Sequence, residues 1–421
     1  MSKLDELIAE LCPNGVEYKS LGEIATIARG GNFQKKDFCD RGVPCIHYGQ
    51  IYTKYGLFTD KTITFITEER AKKQKFAKTN DIIMAVTSEN IEDVCKCLAW
   101  LGNEDVAVSG HSAIISHNQN PKYLVYYFHS QMFFTQKRKL AHGTKVIEVT
   151  PDTLKSIKLP VPPLEVQREI VHILDSFTLL TAELTAELTA RKKQYEFYRD
   201  NLIKKEQHIS EVKKLADVAN IYDSLHQTPS YSNSGYSMVR VQDIKGGYLD
   251  EDKTLKVDES VWNLFTQKYT PRLNDIVVSR VGSYGNFALI PNDKCCLGQN
   301  VALIHPNINP KYLYHVLMST MTKQWINNNV KGASQKSFSL ADIKRVPVPV
   351  PKENIQQRIA EVLDNFEAIC TDLNIGLPAE IEARQKQYEY YRDLLLTFAE
   401  TGSTLMTDRQ TDRQTDRQTD R

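Results

Sequence analysis

Nowhere in the 421-residue sequence does an apolar run approach the roughly 20 residues that a helix needs to cross a bilayer. The amino terminus does not read as a secretory leader either, because Lys3, Asp5 and Glu6 break it up before an apolar core can form. Charge of one sign is scarce: 53 basic and 52 acidic residues leave +1, which argues against a chain that grips nucleic acid alone by bulk electrostatics. Sequence reading stays open, since it rests on local contacts to base edges. Eight cysteines occur, but Cys95/Cys97 and Cys295/Cys296 stand too close for metal-finger spacing and suggest no disulfide framework. Reduced thiols in a cytoplasmic protein are expected. No GxxxxGK[ST] phosphate loop, HExxH zinc helix or GxSxG elbow is present. The ten histidines are scattered, His47 and His111 read as ordinary strand residues, and Glu68-Glu69 reads as a solvated face. No catalytic residue, metal site or cofactor is expected on this chain.

What the sequence does carry is a long amphipathic helix from Val166 to Ile203. Ile170, Ile173, Phe177, Leu180 and Leu184 fall at alternating steps of three and four, the narrow seam a helix shows to a partner helix. TAEL then occurs twice in tandem, at Thr181–Leu184 and Thr185–Leu188. Such a repeat adds one turn plus a little rotation and lengthens the helix by about 6 Å, at roughly 1.5 Å per residue, so it reads as a spacer. A second copy of the stripe follows at Ile355, Ile359, Val362, Phe366, Ile369 and Leu373, until Gly376-Leu377-Pro378 interrupts it. Beyond the break, Ala383–Leu396 (ARQKQYEYYRDLLL) matches Ala190–Ile203 (ARKKQYEFYRDNLI). Two such helices most simply pack on each other. Two unrelated amphipathic helices on separate domains are the plainer alternative. The expected seam comprises Ile170, Phe177, Leu184, Leu188, Tyr195, Tyr198 and Leu202 on the first helix. On the second it comprises Ile359, Phe366, Leu373, Tyr388, Tyr391 and Leu395.

Aligning the helices divides the remaining chain into two halves. Gly42…Ile46-His47-Tyr48 corresponds to Gly235…Val239-Arg240-Val241, and Asn80-Asp81-Ile82 to Asn274-Asp275-Ile276, a turn entering a β-rich run. Asn120-Pro121-Lys122-Tyr123-Leu124 recurs identically from Asn309 to Leu313, each time opening a helix with Pro near its start. That tetrad is similar to the Asn-Pro-Pro-Tyr loop of adenine-N6 methyltransferases, but Lys replaces the second Pro and no glycine-rich turn for S-adenosylmethionine follows a strand. Proline-rich hinges, Leu159–Pro163 and Pro347–Pro351, mark the domain edges. Thr407–Arg421 repeats TDRQ without an apolar residue and is expected to be disordered. A repeated ACAG tetranucleotide encodes Thr-Asp-Arg-Gln, so the tail is expected to be a translated, slippage-prone DNA repeat.

The signals that remain suit recognition. Lys72, Lys73 and Lys75 flank Phe76 in a basic run, and Lys137-Arg138-Lys139 forms another. The loops carrying Thr144 and Lys145, Ser283 and Tyr284, and Ser334, Gln335 and Lys336 are small and polar, and Thr87-Ser88 takes the place of the Gly282 loop in the first half. Alone, such basic runs are more often solvated faces. Side chains of these kinds can reach phosphates and base edges, which makes Lys72, Lys73, Lys75, Thr87, Ser88, Thr144, Lys145, Ser283, Tyr284, Ser334, Gln335 and Lys336 the candidate DNA contacts.

The paired ARKKQYEFYRDNLI/ARQKQYEYYRDLLL segments, the hinges LPVPPLEVQREIVHILDSF and VPVPKENIQQRIAEVLDNF, and the TAEL repeat resemble one family. It is the specificity (S) subunit of type I restriction–modification enzymes, of the kind with TAEL spacer repeats, and the likeness runs to about Glu400. The resemblance implies an α+β chain of two mixed α/β target-recognition domains separated by two long antiparallel coiled-coil helices. Domain 1 would occupy residues 1–160, the central spacer helix 161–206, domain 2 207–350, the C-terminal spacer helix 351–400 and the disordered tail 401–421. Each domain would read one half of a bipartite double-stranded DNA site, asymmetric because the halves diverge. The chain would be non-catalytic, with two methyltransferase subunits and motor-endonuclease subunits as partners, and with S-adenosylmethionine, ATP and Mg2+ held on those partners. In this subset, repeat number goes with the spacing of the half-sites, as expected where separation of two readers sets their gap. The alternatives from other classes are a coiled-coil adaptor without a DNA role and a self-contained DNA methyltransferase.

Overall fold

The structure is a computed structural model and describes residues 2–245, 247–249, 251–330, 337–372 and 375–401. Ser334, Gln335, Lys336, Leu373 and the TDRQ tail lie outside the described residues. The chain divides into two compact units, Met1–Glu183 with Glu382–Arg421, and Leu184–Ile381.

Unit 1 carries two five-stranded sheets. In the first the order is Ala25–Arg29, Ser112–His117, Ile82–Ala85, Cys97–Trp100, Phe58–Thr59, antiparallel except for the last pair. Ile82–Ala85 and Cys97–Trp100 are buried on both faces, which accounts for their unbroken apolar runs. The second sheet pairs Val43–Ile46 in parallel with Val106–Val108, flanked by Thr64–Ile66 and Lys75–Ala77.

Unit 2 repeats the plan with fewer strands among the described residues. Ala219–Asp223, Val301–Pro306, Ile276–Ser279 and Phe287–Leu289 form an antiparallel sheet. Tyr236–Val239 pairs in parallel with Cys295–Leu297, as its counterpart does in unit 1. Asn80 and Asn274 both adopt the left-handed conformation (φ 74° and 66°) at the predicted turn, and the Asp that follows accepts from a backbone N–H three residues back. Each domain closes on its hinge, Tyr18–Ser20 pairing with Lys158–Pro160 and Glu211–Lys214 with Pro347–Val350. Two-stranded ladders leave an open side for the proline nitrogens, so the prolines cost no hydrogen bond.

The first long helix runs unbroken from Leu164 to Ile209, 46 residues, with the TAEL repeat inside it. The second stripe forms two helices, Glu353–Thr371 and Leu377–Thr401, parted where Gly-Leu-Pro interrupts the pattern. Within unit 1, Phe177 stacks on Tyr391 (5.3 Å) and Ile170 and Leu174 share a core with Tyr388 and Leu395. Within unit 2 the equivalent Phe366 and Tyr198 meet at 5.5 Å, and Ile359 and Leu363 share a core with Tyr195 and Ile203. Each unit therefore joins the helix after its own hinge to the QYE segment that follows the other repeat's hinge.

The Asn-Pro-Lys-Tyr tetrad is a clip in both units. Asn120 and Asn309 cap their helices through Oδ1, and their backbone N–H groups donate to Gln167 and Gln356 (2.9 and 3.1 Å). Lys122 pairs with Asp175 and Lys311 with Asp364, while Tyr123 and Tyr312 donate to the carbonyls of Pro160 and Pro349. The next helix receives a cap from the QYE segment, Asp393 accepting from Gln131 N–H (3.2 Å) and Asp200 from Thr320 N–H (3.0 Å).

Candidate nucleic-acid interface

The ends of equivalent strands meet at one mouth in each domain. The parallel pairing Ile46↔Val108 brings His47 and Tyr48 beside Ser109–His111, and Val239↔Leu297 brings Arg240 and Val241 beside Gly298–Asn300. Ser109 N–H donates to Ile46 (3.1 Å) and Gly298 N–H to Val239 (2.8 Å), which fixes the correspondence. The next residue of each mouth comes from the central strand, Val86 N–H donating to His111 O and Arg280 N–H to Asn300 O.

In unit 1 this mouth is aromatic. Tyr48 lies 4.9 Å from His111 and 4.5 Å from His47 by ring centres, with Tyr52 on its edge. His47 is buried against Phe33 and Phe38 and accepts from Gly49 N–H, and burial pushes its pKa down to about 4, so it is neutral at physiological pH. Thr87 Oγ1 meets exposed His111 Nδ1 at 3.1 Å, and its carbonyl accepts from Tyr52 Oη.

Unit 2 carries Val241 and Asn300 where unit 1 carries Tyr48 and His111, and the smaller side chains leave an open cleft of about 540 Å³. Thr228, Arg240, Gln242, Ser283, Asn286, Gln299 and Asn300 supply its polar lining, beside Pro229, Tyr231, Val241 and Ile244.

Some of the sequence-based candidates gather at these mouths. Thr87 and Ser88 pair with Glu148 and Ile147, so the exposed Thr144–Lys145 loop turns back beside them, and Arg29 pairs with Glu148 at 2.7 Å. Ser283 lines the unit 2 cleft, its carbonyl accepting from Ser279 and Asn286, whereas half-buried Tyr284 packs on the core. Lys72, Lys73 and Lys75 are exposed around the strand Lys75–Ala77, whose Lys75 pairs with Val108 at the strand end that leads into Ser109–His111. Lys137 is not a surface cation: it is buried and donates to the carbonyls of Glu92 and Val94 (2.9 and 2.6 Å).

Sequence reasoning gave Tyr48 and Arg240 no role and read His47 and His111 as ordinary strand residues, whereas His47 follows the strand Val43–Ile46 as a helix cap and His111 lies in the turn before Ser112–His117. Arg240 did carry a signal, because it faces His47 in the alignment and precedes an Asp at the third position, the spacing of an arginine clamp.

His315, Asp364 and Glu367 bring three metal-ligating groups together in unit 2. Protein donors already engage them: His315 bridges Tyr195 Oη (3.0 Å) and Asp364 (2.9 Å), and Tyr314 donates to Glu367 (2.8 Å). Burial raises the Glu367 carboxyl above its ordinary value. Asp364 is also raised by burial, but it ends below its ordinary value because His315 and Lys311 donate to it. The group is a satisfied polar core between the clip and the QYE segment.

Comparison with known proteins agrees with this repeated plan. A family model described as the type I restriction modification DNA specificity domain matches residues 13–191 and again 209–383. The EcoR124I/EcoR124II specificity subunit of Escherichia coli is 36% identical over 58% of this chain, a stretch that spans 63% of that subunit. A putative type I specificity subunit of Haemophilus influenzae is 29% identical over 71% of this chain and 77% of its own length. A chain solved in work on complex assembly and conformational transition of the type I R-M system has the same fold, with TM-score 0.55, 16% identity and coverage of 92% and 98%. Among the described residues no helix is long and apolar enough to cross a membrane.

Proposed function

The chain belongs to the type I restriction–modification DNA specificity family, and from that premise we propose that it reads an asymmetric bipartite site in double-stranded DNA for a cytoplasmic restriction–modification complex. Each unit reads one half-site through its mouth. Two methyltransferase subunits and motor-endonuclease subunits are the partners; they hold S-adenosylmethionine, ATP and Mg2+ and carry out adenine methylation and cleavage. The observation that supports this most is a single scaffold that presents an aromatic mouth once and a polar cleft once. A shared framework with dissimilar readers is what two unlike half-sites require. Near-neutral charge fits, because partners that share the phosphate contacts relieve this chain of that task. The TAEL repeat, inside an unbroken helix, sets the gap between half-sites.

Long-read methylation mapping of the source strain with and without this gene tests the proposal. One bipartite adenine motif present only with the gene is expected, and an identical methylome in both strains would overturn it. Calorimetry of the purified chain with S-adenosylmethionine is expected to show no binding. Tight binding there would favour a methyltransferase instead.

A further inference from the structure

Arg240 is held as a fixed fork. Its Nε and Nη2 donate to Asp243 Oδ2 and Oδ1, both at 3.0 Å, and Asp243 Oδ2 also accepts the Arg240 backbone N–H at 2.9 Å. The Asp243 side chain is 8% exposed, so the carboxylate that orients the guanidinium is anchored and nearly dry. That arrangement spends the Nε–Nη2 edge of the guanidinium on Asp243 and leaves the Nη1–Nη2 edge for another acceptor, on a side chain that lines the cleft. The exposed carboxamide of Gln242 reaches this outer edge, 2.7 Å from Nη2 and 3.0 Å from Nη1 when its oxygen faces the guanidinium. A carbonyl oxygen thus occupies the position of an external acceptor, on a side chain free to swing into solvent.

We propose that Arg240 is the guanine-reading residue of unit 2, donating its outer edge to O6 and N7 of one guanine in the major groove. This rests on the DNA-reading function proposed above. Guanine is the base whose groove edge offers two adjacent acceptors; adenine sets a donor beside N7 and would repel the fork. A phosphate also accepts two bonds, but Arg240 is the one charged side chain in the cleft lining among the described residues. Its neighbours there are Gln299, Asn300, Asn286 and Ser283, which offer both donors and acceptors and suit base edges more than an anion. The corresponding residue of unit 1, His47, is buried and neutral, so this contact has no counterpart at the same position of unit 1.

The test uses the complex as the source strain expresses it. Wild type is expected to methylate a bipartite motif with a guanine in the half-site of unit 2, that half being identified by exchange of residues 207–350. In strains carrying R240A or R240K, that one position is expected to become degenerate, with discrimination falling roughly ten- to hundredfold and the other half-site unchanged. Methylation that falls evenly at all sites in both variants would overturn the assignment in favour of a phosphate contact. A second measurement leaves the protein intact: duplexes carrying 7-deazaguanine at that position lose N7 and are expected to bind the wild-type complex roughly tenfold more weakly. Unchanged binding would overturn the proposal whatever the variants do. If the wild-type gene directs no bipartite motif at all, the DNA-reading function fails and the role of Arg240 falls with it; a motif that is present but insensitive to R240A and R240K overturns the Arg240 assignment alone.

Discussion

The two domains share their clips, turns and hinges almost bond for bond, yet at the mouth they share little. Tyr48 and His111 close the unit 1 mouth with rings, while Val241 and Asn300 open a polar cleft in unit 2. The difference shows how the chain separates two tasks. Positions that pair with the long helices, such as Asn120/Asn309, Lys122/Lys311 and Asp175/Asp364, hold the same residues because they hold the same architecture. Positions at the strand ends answer to whatever lies outside, and can change without disturbing the core.

Exchanging whole domains should break the comparison most completely. Replacing residues 15–159 with the corresponding segment of another family member is expected to change one half-site entirely and leave the other intact, as read by methylation mapping. A change in both halves would show that the units do not read independently. A third TAEL after Leu188 should act on neither half-site but widen the gap between them, since it adds about 6 Å of helix. Methylated adenines mapped in two- and three-copy strains measure that gap, and an unaltered one would remove the ruler.

Smaller changes sharpen the contrast. Tyr48→Val with His111→Asn gives unit 1 the small residues of unit 2, and is expected to relax one position of its half-site roughly tenfold without moving the gap. Mapping the motif of this double variant checks it, and a change in the unit 2 half would count against local reading. The least effect is on stability alone. Tyr195→Phe removes a partner of fully buried His315 and is expected to cost about 1–3 kcal/mol in denaturant unfolding. Tyr126→Phe in unit 1 should cost about 1 kcal/mol, because Asp175 keeps its bond to Lys122. Equal losses would mean that the two polar cores are not differently built.

The scaffold was legible because its signals are local. Asn before Pro at a helix start, an Asn-Asp turn, alternating prolines and a three-four stripe each declare their conformation within a few residues. The mouths were not, because they are assembled from segments far apart in the chain: Arg240 meets Gln299 and Asn300 only through the pairing of Val239 with Leu297. Charge runs misled for a related reason. Lys137 sits in a basic triplet, yet its helix turns it onto buried carbonyls that sequence cannot locate. The TAEL repeat could be read as length and the two stripes as a shared seam, but the sequence did not show that each closing segment completes the core of the other repeat's unit.

That borrowing has a consequence for biogenesis. Unit 1 consists of residues up to Glu183 and a segment that begins at Glu382, about 200 residues later in the chain. At roughly 5–20 residues per second, a ribosome needs roughly 10–40 s to deliver the closing piece. During that interval Ile170, Leu174, Phe177 and Tyr126 wait without Tyr388, Tyr391 and Leu395. The first domain to be made is therefore the last to be finished, and a nascent chain stalled before residue 382 displays a sticky apolar strip to its surroundings.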